Sequence, residues 1–487
     1  MGCVVCTTGR SVRGQTSSGL GRWFCSLFMA SVSHMSDNAP RRQLTLFDSV
    51  CIIMGVVIGA GIYESTPRVA GFVNDGWELM AVWVAGGLIT LAGALCYVEL
   101  STAFPREGGD YVFLSRAFSR PIGFLFAWTE FWIVRPGSVG MMAFVFARFA
   151  HELVRGTHLS TGNKDWDFVL YAAGTIVVIT GLNLLGVRTG KTAQNVLTVL
   201  KVVGLVGIVL VALLTPTTRV LADPSAIASS SNYSLALMFV LFTYGGWNDL
   251  SYVAAEVRDP DRNILRSLML GVALITVVYL SVNFAFVYAL GLTGASNLNA
   301  GDLLEMRFGV QGRRAIGVLV CVSSLGAING TLFAGSRIYY AVGTEHRWFA
   351  WLGQWDGKLD SPVRSLLMQG TTSLLWVCAF GGAQGFDHLL AFTSPVFWFF
   401  AILISISVFL LRFREPNLPR PHRIVLFPVT PIVFLLSCLF MFYSAITYAT
   451  SVWQARWEEI GWAPEGFCTL GVLVIGIGVG LLSQARR

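Results

Sequence analysis

The residues best placed to do chemistry in this chain are backbone-exposing glycines. Gly55-Val-Val-Ile-Gly59-Ala60-Gly61-Ile62-Tyr63 sets three glycines within seven residues of an apolar run. Each weakens a helix by about 1 kcal/mol, so a break is expected here. The alternative is close packing against a neighbouring helix through small residues. A second interruption follows at Phe242-Thr-Tyr-Gly245-Gly246-Trp247-Asn248-Asp249-Leu-Ser251. In an apolar medium the freed backbone groups must find partners. The start of a half-helix offers N–H donors and a positive dipole end to a carboxylate; carbonyls at the end of one accept from an ammonium. An α-amino acid carries both groups on one carbon. Two facing breaks therefore suit a zwitterion without using any charged side chain.

Among ionisable residues Lys201 stands out, in Val199-Leu200-Lys201-Val202-Val203-Gly204 with no acidic neighbour in sequence. A lysine several residues inside an apolar span is costly and normally functional; the alternative is a side chain that snorkels to a span end. Glu130 and Arg135 are five residues apart and do not share a helix face, so each is expected to pair with another helix. Glu99 and Glu256 sit near the ends of apolar runs and read as gate or loop contacts.

The elements that must position these residues follow from composition. Of 487 residues, 54% are hydrophobic and only 13% charged, with a mean hydropathy of +0.65. Soluble chains carry about 25% charged residues, so a soluble enzyme, a nucleic-acid reader and a disordered scaffold are excluded. A membrane span needs about 20 apolar residues. Twelve candidates are expected, at 47–72, 79–104, 121–153, 168–186, 193–215, 232–256, 266–292, 312–343, 366–382, 387–411, 427–451 and 464–483. The two interruptions fall in the first and sixth. That spacing is expected of two five-helix repeats of inverted topology, each opening with a broken helix. The fold class is thus an all-α integral membrane protein.

The net charge of +7 places basic residues in short loops. Arg106, Arg116, Arg120, Arg188, Lys191, Arg258, Arg262, Arg347, Arg364 and Arg420 fall on one side. Fewer, such as Arg155, Lys164, Arg219 and Arg313, fall on the other. The bias puts both termini in the cytoplasm. Residues 1–43 lack a signal-peptide core and are expected to be a disordered extension, with Met1 or Met35 as the start. The cysteines lie mostly in apolar runs and form no disulfide framework or zinc set. Gly186 to Thr192 is one residue short of a phosphate loop, and no HExxH motif occurs. No metal and no cofactor is expected, and the partners are a small solute and the lipid bilayer, not nucleic acid.

Several motifs in a fixed order carry a family resemblance. Gly59-Ala60-Gly61-Ile62, Gly93 to Leu100 around Tyr97 and Glu99, and Gly108-Gly109-Asp110-Tyr111 come first. Trp128 to Pro136, Phe242 to Ser251, Ile328-Asn329-Gly330 to Arg337, and Leu411-Arg412 to Pro421 follow. Across residues 44–450 the chain resembles the amino acid–polyamine–organocation transporters. It is most similar to the L-type branch, the light subunits of heteromeric amino-acid transporters.

The resemblance implies a five-plus-five inverted repeat at 44–411, with halves at 44–215 and 232–411. Two additional helices would occupy 412–487. It implies that Val57, Gly59, Ala60 and Gly61 face a substrate carboxylate, and that carbonyls of Val57 and Ile62, with Phe242 and Gly245, bracket its ammonium. Phe242 would be an aromatic lid. Gly245, Trp247 and Asn248, with Ile133, Val134 and Trp398, would line the side-chain pocket; ordinary packing is the alternative for Trp398. Lys201 would stand where sodium-driven relatives hold the ion. Two departures matter. Ala60 replaces the serine usual in that branch, and Asp249 replaces an uncharged residue. The Val154–Asp167 loop also lacks the cysteine that links light subunits to a heavy chain, so none is expected.

The function expected is sodium-independent exchange of small or medium neutral L-amino acids across the inner or plasma membrane, by alternating access. The alternative, raised by Asp249, is a cationic amino-acid or polyamine antiporter.

Overall fold

A computed structural model describes residues 40–59, 61–154, 162–214, 231–298, 300–382, 384–460 and 464–485. The extension expected at 1–43 lies outside the described residues up to Ala39, as does Ala60. From Gln43 the chain is anchored: the N–H groups of Gln43 and Leu44 both donate to the Glu256 carbonyl, at 2.8 and 2.9 Å.

The described residues are almost entirely helical. In order they form α1 (Leu46–Val57), α2 (Gly61–Ala70), α3 (Gly76–Ala103), α4 (Asp110–Ala117) and α5 (Arg120–Thr129). A π-helical turn, Glu130–Val134, leads into α6 (Arg135–Val154), then α7 (Lys164–Leu184), α8 (Val187–Leu214) and α9 (Tyr233–Thr243). After a 3₁₀ segment, Trp247–Glu256, come α10 (Pro260–Asn297), α11 (Ala300–Phe308), α12 (Val310–Glu345) and α13 (Val363–Ala379). The chain ends with α14 (Gly385–Arg414), α15 (Val429–Ile460) and α16 (Pro464–Ala485).

Local signals set several starts. Thr45 and Asp48 form a reciprocal capping box at α1, which satisfies N–H groups the first turn cannot pair internally. Asp75 caps α3, Asn163 caps α7 and Asn232 caps α9. Pro260 sits in the first turn of α10, where its missing N–H costs nothing.

Eight helices among the described residues are long and apolar enough to cross a bilayer: α3, the α5–α6 rod, α7, α8, α10, α12, α14 and α15. The protein is therefore a multi-pass membrane protein. α8 shows the logic most clearly. Gln194, Thr198, Lys201, Leu205, Ile208 and Ala212 recur at three- and four-residue spacing and are buried. Val199, Leu200, Val203, Val206 and Leu210 on the other face are exposed. Polar inward and apolar outward is the pattern of a helix whose surroundings are lipid.

α1 lies against α8 and α10, α3 against α10, α6 against α12, and α14 against α15. The helix of the first expected span ends at Val57 and resumes at Gly61; that of the sixth ends at Thr243 and resumes as a 3₁₀ segment at Trp247. Gly246 sits at φ 105°, a left-handed conformation, and a Cβ there would meet Val56 Cγ1 at 2.6 Å. Only glycine satisfies both demands.

Candidate functional site

Both breaks face one cavity of about 170 Å³. Val56, Val57, Gly59 and Gly61 line it from the first break; Phe242, Thr243, Gly245, Gly246, Asn248 and Asp249 line it from the second. Val134, Arg135, Ser138, Met141 and Met142 close one side, and Leu390, Thr393, Ser394, Phe397 and Trp398 the other. Of the residues singled out in the sequence, Val57, Gly59, Gly61, Val134, Phe242, Gly245, Asn248 and Trp398 are thus brought together. Trp247 lines an adjoining hollow of about 40 Å³, which shares Gly245, Gly246, Asn248 and Trp398. Ile62 and Ile133 do not line the cavity; both are fully buried. Ala60 falls outside the described residues.

The backbone at the breaks is prepared for a small dipolar guest. α2 starts at Gly61 on the cavity wall, and first-turn N–H groups have no partner within their own helix. The last turns of α1 and α9 point carbonyls toward the same region. The hydroxyl of Tyr279, from α10, stands 3.1 Å from both the Val57 and the Thr243 oxygen and shares one proton between them. It ties the two breaks together. In the sequence Tyr279 is one more aromatic in an apolar run.

Lys201 is fully buried. Its Nζ donates to Gly55 O at 2.8 Å, Ile58 O at 2.8 Å and Ser323 O at 3.1 Å. These three acceptors match the three protons of an ammonium group. Thr198, one turn earlier, donates to Cys51 O at 3.0 Å, and Gln194 to the same oxygen at 3.4 Å. α8 therefore brings side-chain donors to α1, with Lys201 at the carbonyls of Gly55 and Ile58 beside the break. The Lys201 side chain does not snorkel.

Glu130 and Arg135 correct the sequence reading. They pair with each other at 2.6 Å. The turn between them is π-helical, with the Arg135 N–H donating to Glu130 O, and this five-residue closure puts side chains five apart on one face. Arg135 does also reach another element: its Nη1 lies 2.9 Å from Asp249 Oδ2, and its guanidinium lies 4.6 Å from the centre of the Tyr252 ring. Asp249 lines the cavity and shares the Arg135 guanidinium with Glu130.

The cavity continues past Phe242 and Trp398 into a second hollow of about 130 Å³ lined by Ser65, Arg68, Asp387 and Tyr448. The opposite end is shut by ion pairs. Arg337 grips Glu256 through two nitrogens at 2.6 and 3.1 Å. Arg412 grips Glu99 at 2.8 and 2.5 Å, and Arg420 adds a contact at 3.3 Å.

Residues 44–464 match the amino acid permease family. The chain belongs to that family. Among curated relatives, the b(0,+)-type amino acid transporter 1 of Mus musculus is 27% identical over 91% of this chain and 88% of its own length. The large neutral amino acids transporter small subunit 2 of Oryctolagus cuniculus is 26% identical over 91% of this chain and 80% of its own. The human protein of that second name is 26% identical over the same shares. This permease is therefore an amino-acid transporter and not an enzyme, as its motifs and their order implied. Ser138, Met142, Thr393 and Phe397 join the cavity without having drawn attention in the sequence.

Proposed function

We propose that this permease exchanges small or medium neutral L-amino acids by alternating access, without sodium. The observation that carries the reading is Lys201. Its ammonium occupies the carbonyl cluster at the end of α1, beside the cavity that both helix breaks line. A cation is thus built into the protein at the place where a coupling ion would otherwise bind. The substrate carboxylate would sit on the N–H groups at the start of α2, near Gly59 and Gly61, and its ammonium near the carbonyls of Val57 and Phe242. Phe242 would lie over it. Val57, Val134 and Trp398 would meet an uncharged side chain.

In this reading the chain spans the bilayer twelve times. The eight long helices are joined by the broken pairs α1–α2 and α9 with the 3₁₀ segment, and by α13 and α16. Residues 44–215 and 232–411 would be the inverted repeats, and 412–487 the added pair. Loop basicity supports cytoplasmic termini in the inner or plasma membrane, and the opening past Phe242 would then face outward. The absence of cysteine from residues 154–167 supports a carrier that works without a disulfide-linked heavy chain.

Reconstituted protein preloaded with unlabelled leucine, alanine or serine should take up the labelled amino acid at equal rates in sodium and choline buffers. Uptake that required sodium would overturn the reading. The cationic or polyamine alternative rests on Asp249 facing the cavity. Its ion-pair partner Arg135, 2.9 Å away, is shared with Glu130; competition by arginine or putrescine but not by leucine would favour this alternative.

A further inference from the structure

Eight carboxylates are buried among the described residues, and seven of them sit against a cation or a histidine. Asp110 is the eighth. It opens α4, is 4% exposed, and faces no Lys, Arg or His within ion-pair distance. Its Oδ2 accepts from the Tyr252 hydroxyl at 2.7 Å and from the Tyr97 hydroxyl at 2.9 Å. Its Oδ1 is buried with no partner at all. An ionised acid would leave part of a full charge unmatched; a neutral acid leaves one hydroxyl unmatched, which costs less.

The contacts around Asp110 join separate elements. Tyr97 comes from α3 and Tyr252 from the 3₁₀ segment. Gly109 lies at φ 40°, and a Cβ there would meet Ser251 Oγ at 2.5 Å. Gly108 donates its N–H to Tyr252 O at 3.4 Å. The turn before α4 is therefore pressed against the 3₁₀ segment, at the shut end of the substrate cavity. Parting the two would bring water to Asp110.

We propose that Asp110 is a proton-binding site that latches this end of the transporter: it holds a proton while the 3₁₀ segment is docked and releases it when the segment swings away. The proton comes from hydronium on the α4 side, forms an O–H bond on Oδ1, and leaves to water there when the anion is solvated. The inference rests on the transport reading only for its consequence, since proton binding itself does not require substrate.

The surrounding charges are compatible with this. From the π turn and α6, Glu130 and Arg135 act on Asp110 with opposite signs, and Asp249 is the second acid on that same Arg135. From α14, Arg412 is held by Glu99 and Arg414 by the Ala117 carbonyl. Arg116 of α4 pairs with Glu415, and Tyr111 with Glu345 at the end of α12. Arg120 opens α5. Burial, as the largest influence, pushes the Asp110 carboxyl up to about 7, against the two tyrosine hydroxyls that favour the anion.

The test is infrared difference spectroscopy of the full-length protein titrated with acid and base. A protonated-carboxyl C=O band should be present at pH 5.5 and fade with a midpoint near 7, and Asp110→Asn should remove it. Tyr97→Phe withdraws one donor from the anion and should move the midpoint upward, which keeps the test open if the Asn variant does not fold. A native band that Asp110→Asn leaves in place, or a midpoint that Tyr97→Phe leaves unmoved, would overturn the proposal. In vesicles, native counterflow should rise several-fold as the α4-side pH goes from 6 to 8, and the rise should vanish in Asp110→Asn. Absence of counterflow with the band intact would count against the transport reading alone.

Discussion

The hydroxyl of Tyr279 lies 3.1 Å from the carbonyl oxygen of Val57, and the same hydroxyl lies 3.1 Å from that of Thr243. One phenol on α10 thus measures the separation of two broken helices. A movement that parts Val57 from Thr243 must lengthen at least one of these contacts. Replacing Tyr279 by Phe keeps the ring, which packs against Trp83 and Tyr244, and removes only the hydroxyl. A hydrogen bond of this kind contributes about 1 kcal/mol. The expected result is a KM raised several-fold with a drop of a few degrees in Tm. An unchanged KM would mean that the hydroxyl does not position the breaks.

Lys201 should tolerate no neutral replacement. In Lys201→Met the chain stem is roughly kept, but the carbonyls of Gly55, Ile58 and Ser323 lose their donor. Unsatisfied buried acceptors cost about 1–3 kcal/mol each. Exchange should fall by at least about tenfold, on the scale of ~1.4 kcal/mol per decade, while the protein still elutes as a single species in detergent. Vesicle counterflow at matched protein density measures it. If Lys201→Met exchanges at the native rate, the built-in cation is not part of the mechanism.

What was legible in the sequence follows from which signals are local. Glycines clustered at 55–61 and 245–246 announce weak helix at a fixed place, and the helices do stop at Val57 and Thr243. A lysine with apolar neighbours on both sides announces a buried charge, and Lys201 is buried. The Glu130–Arg135 pair depends on a π-helical turn, which leaves no mark on a 3.6-residue pattern. The Asp110 cluster and Tyr279 were invisible for another reason. Their partners lie 13, 142, 222 and 36 residues away, and a tyrosine in an apolar run looks the same whether its hydroxyl is used or idle. α11 and the 3₁₀ form of Trp247–Glu256 are likewise products of tertiary contact.

The Glu130–Arg135–Asp249 triad predicts an asymmetry between variants. Removing Asp249's charge as Asn leaves Arg135 still paired with Glu130 at 2.6 Å. Removing the guanidinium in Arg135→Ala leaves two buried carboxylates with no cation. Breaking a buried pair from one side costs about 3–5 kcal/mol. Arg135→Ala should therefore fail to accumulate as folded protein, whereas Asp249→Asn should be recovered with a Tm within several degrees of native. Fluorescence-detected size exclusion of both variants checks this. Equal recovery would show that the triad does not hold the π turn in place.

Stability should depend on pH through Asp110, and the sign can be worked out. In the unfolded chain an aspartate titrates near about 3.9; in the folded chain burial raises this carboxyl to about 7. Between those values the folded form binds more protons than the unfolded one, so its stability falls as pH rises and levels off above about 7. Thermal unfolding in detergent should give a higher Tm at pH 5.5 than at pH 8, and Asp110→Asn should lose that difference. A native Tm that rises from pH 5.5 to 8, or an Asn variant with the native slope, would show that Asp110 is ionised in the folded protein.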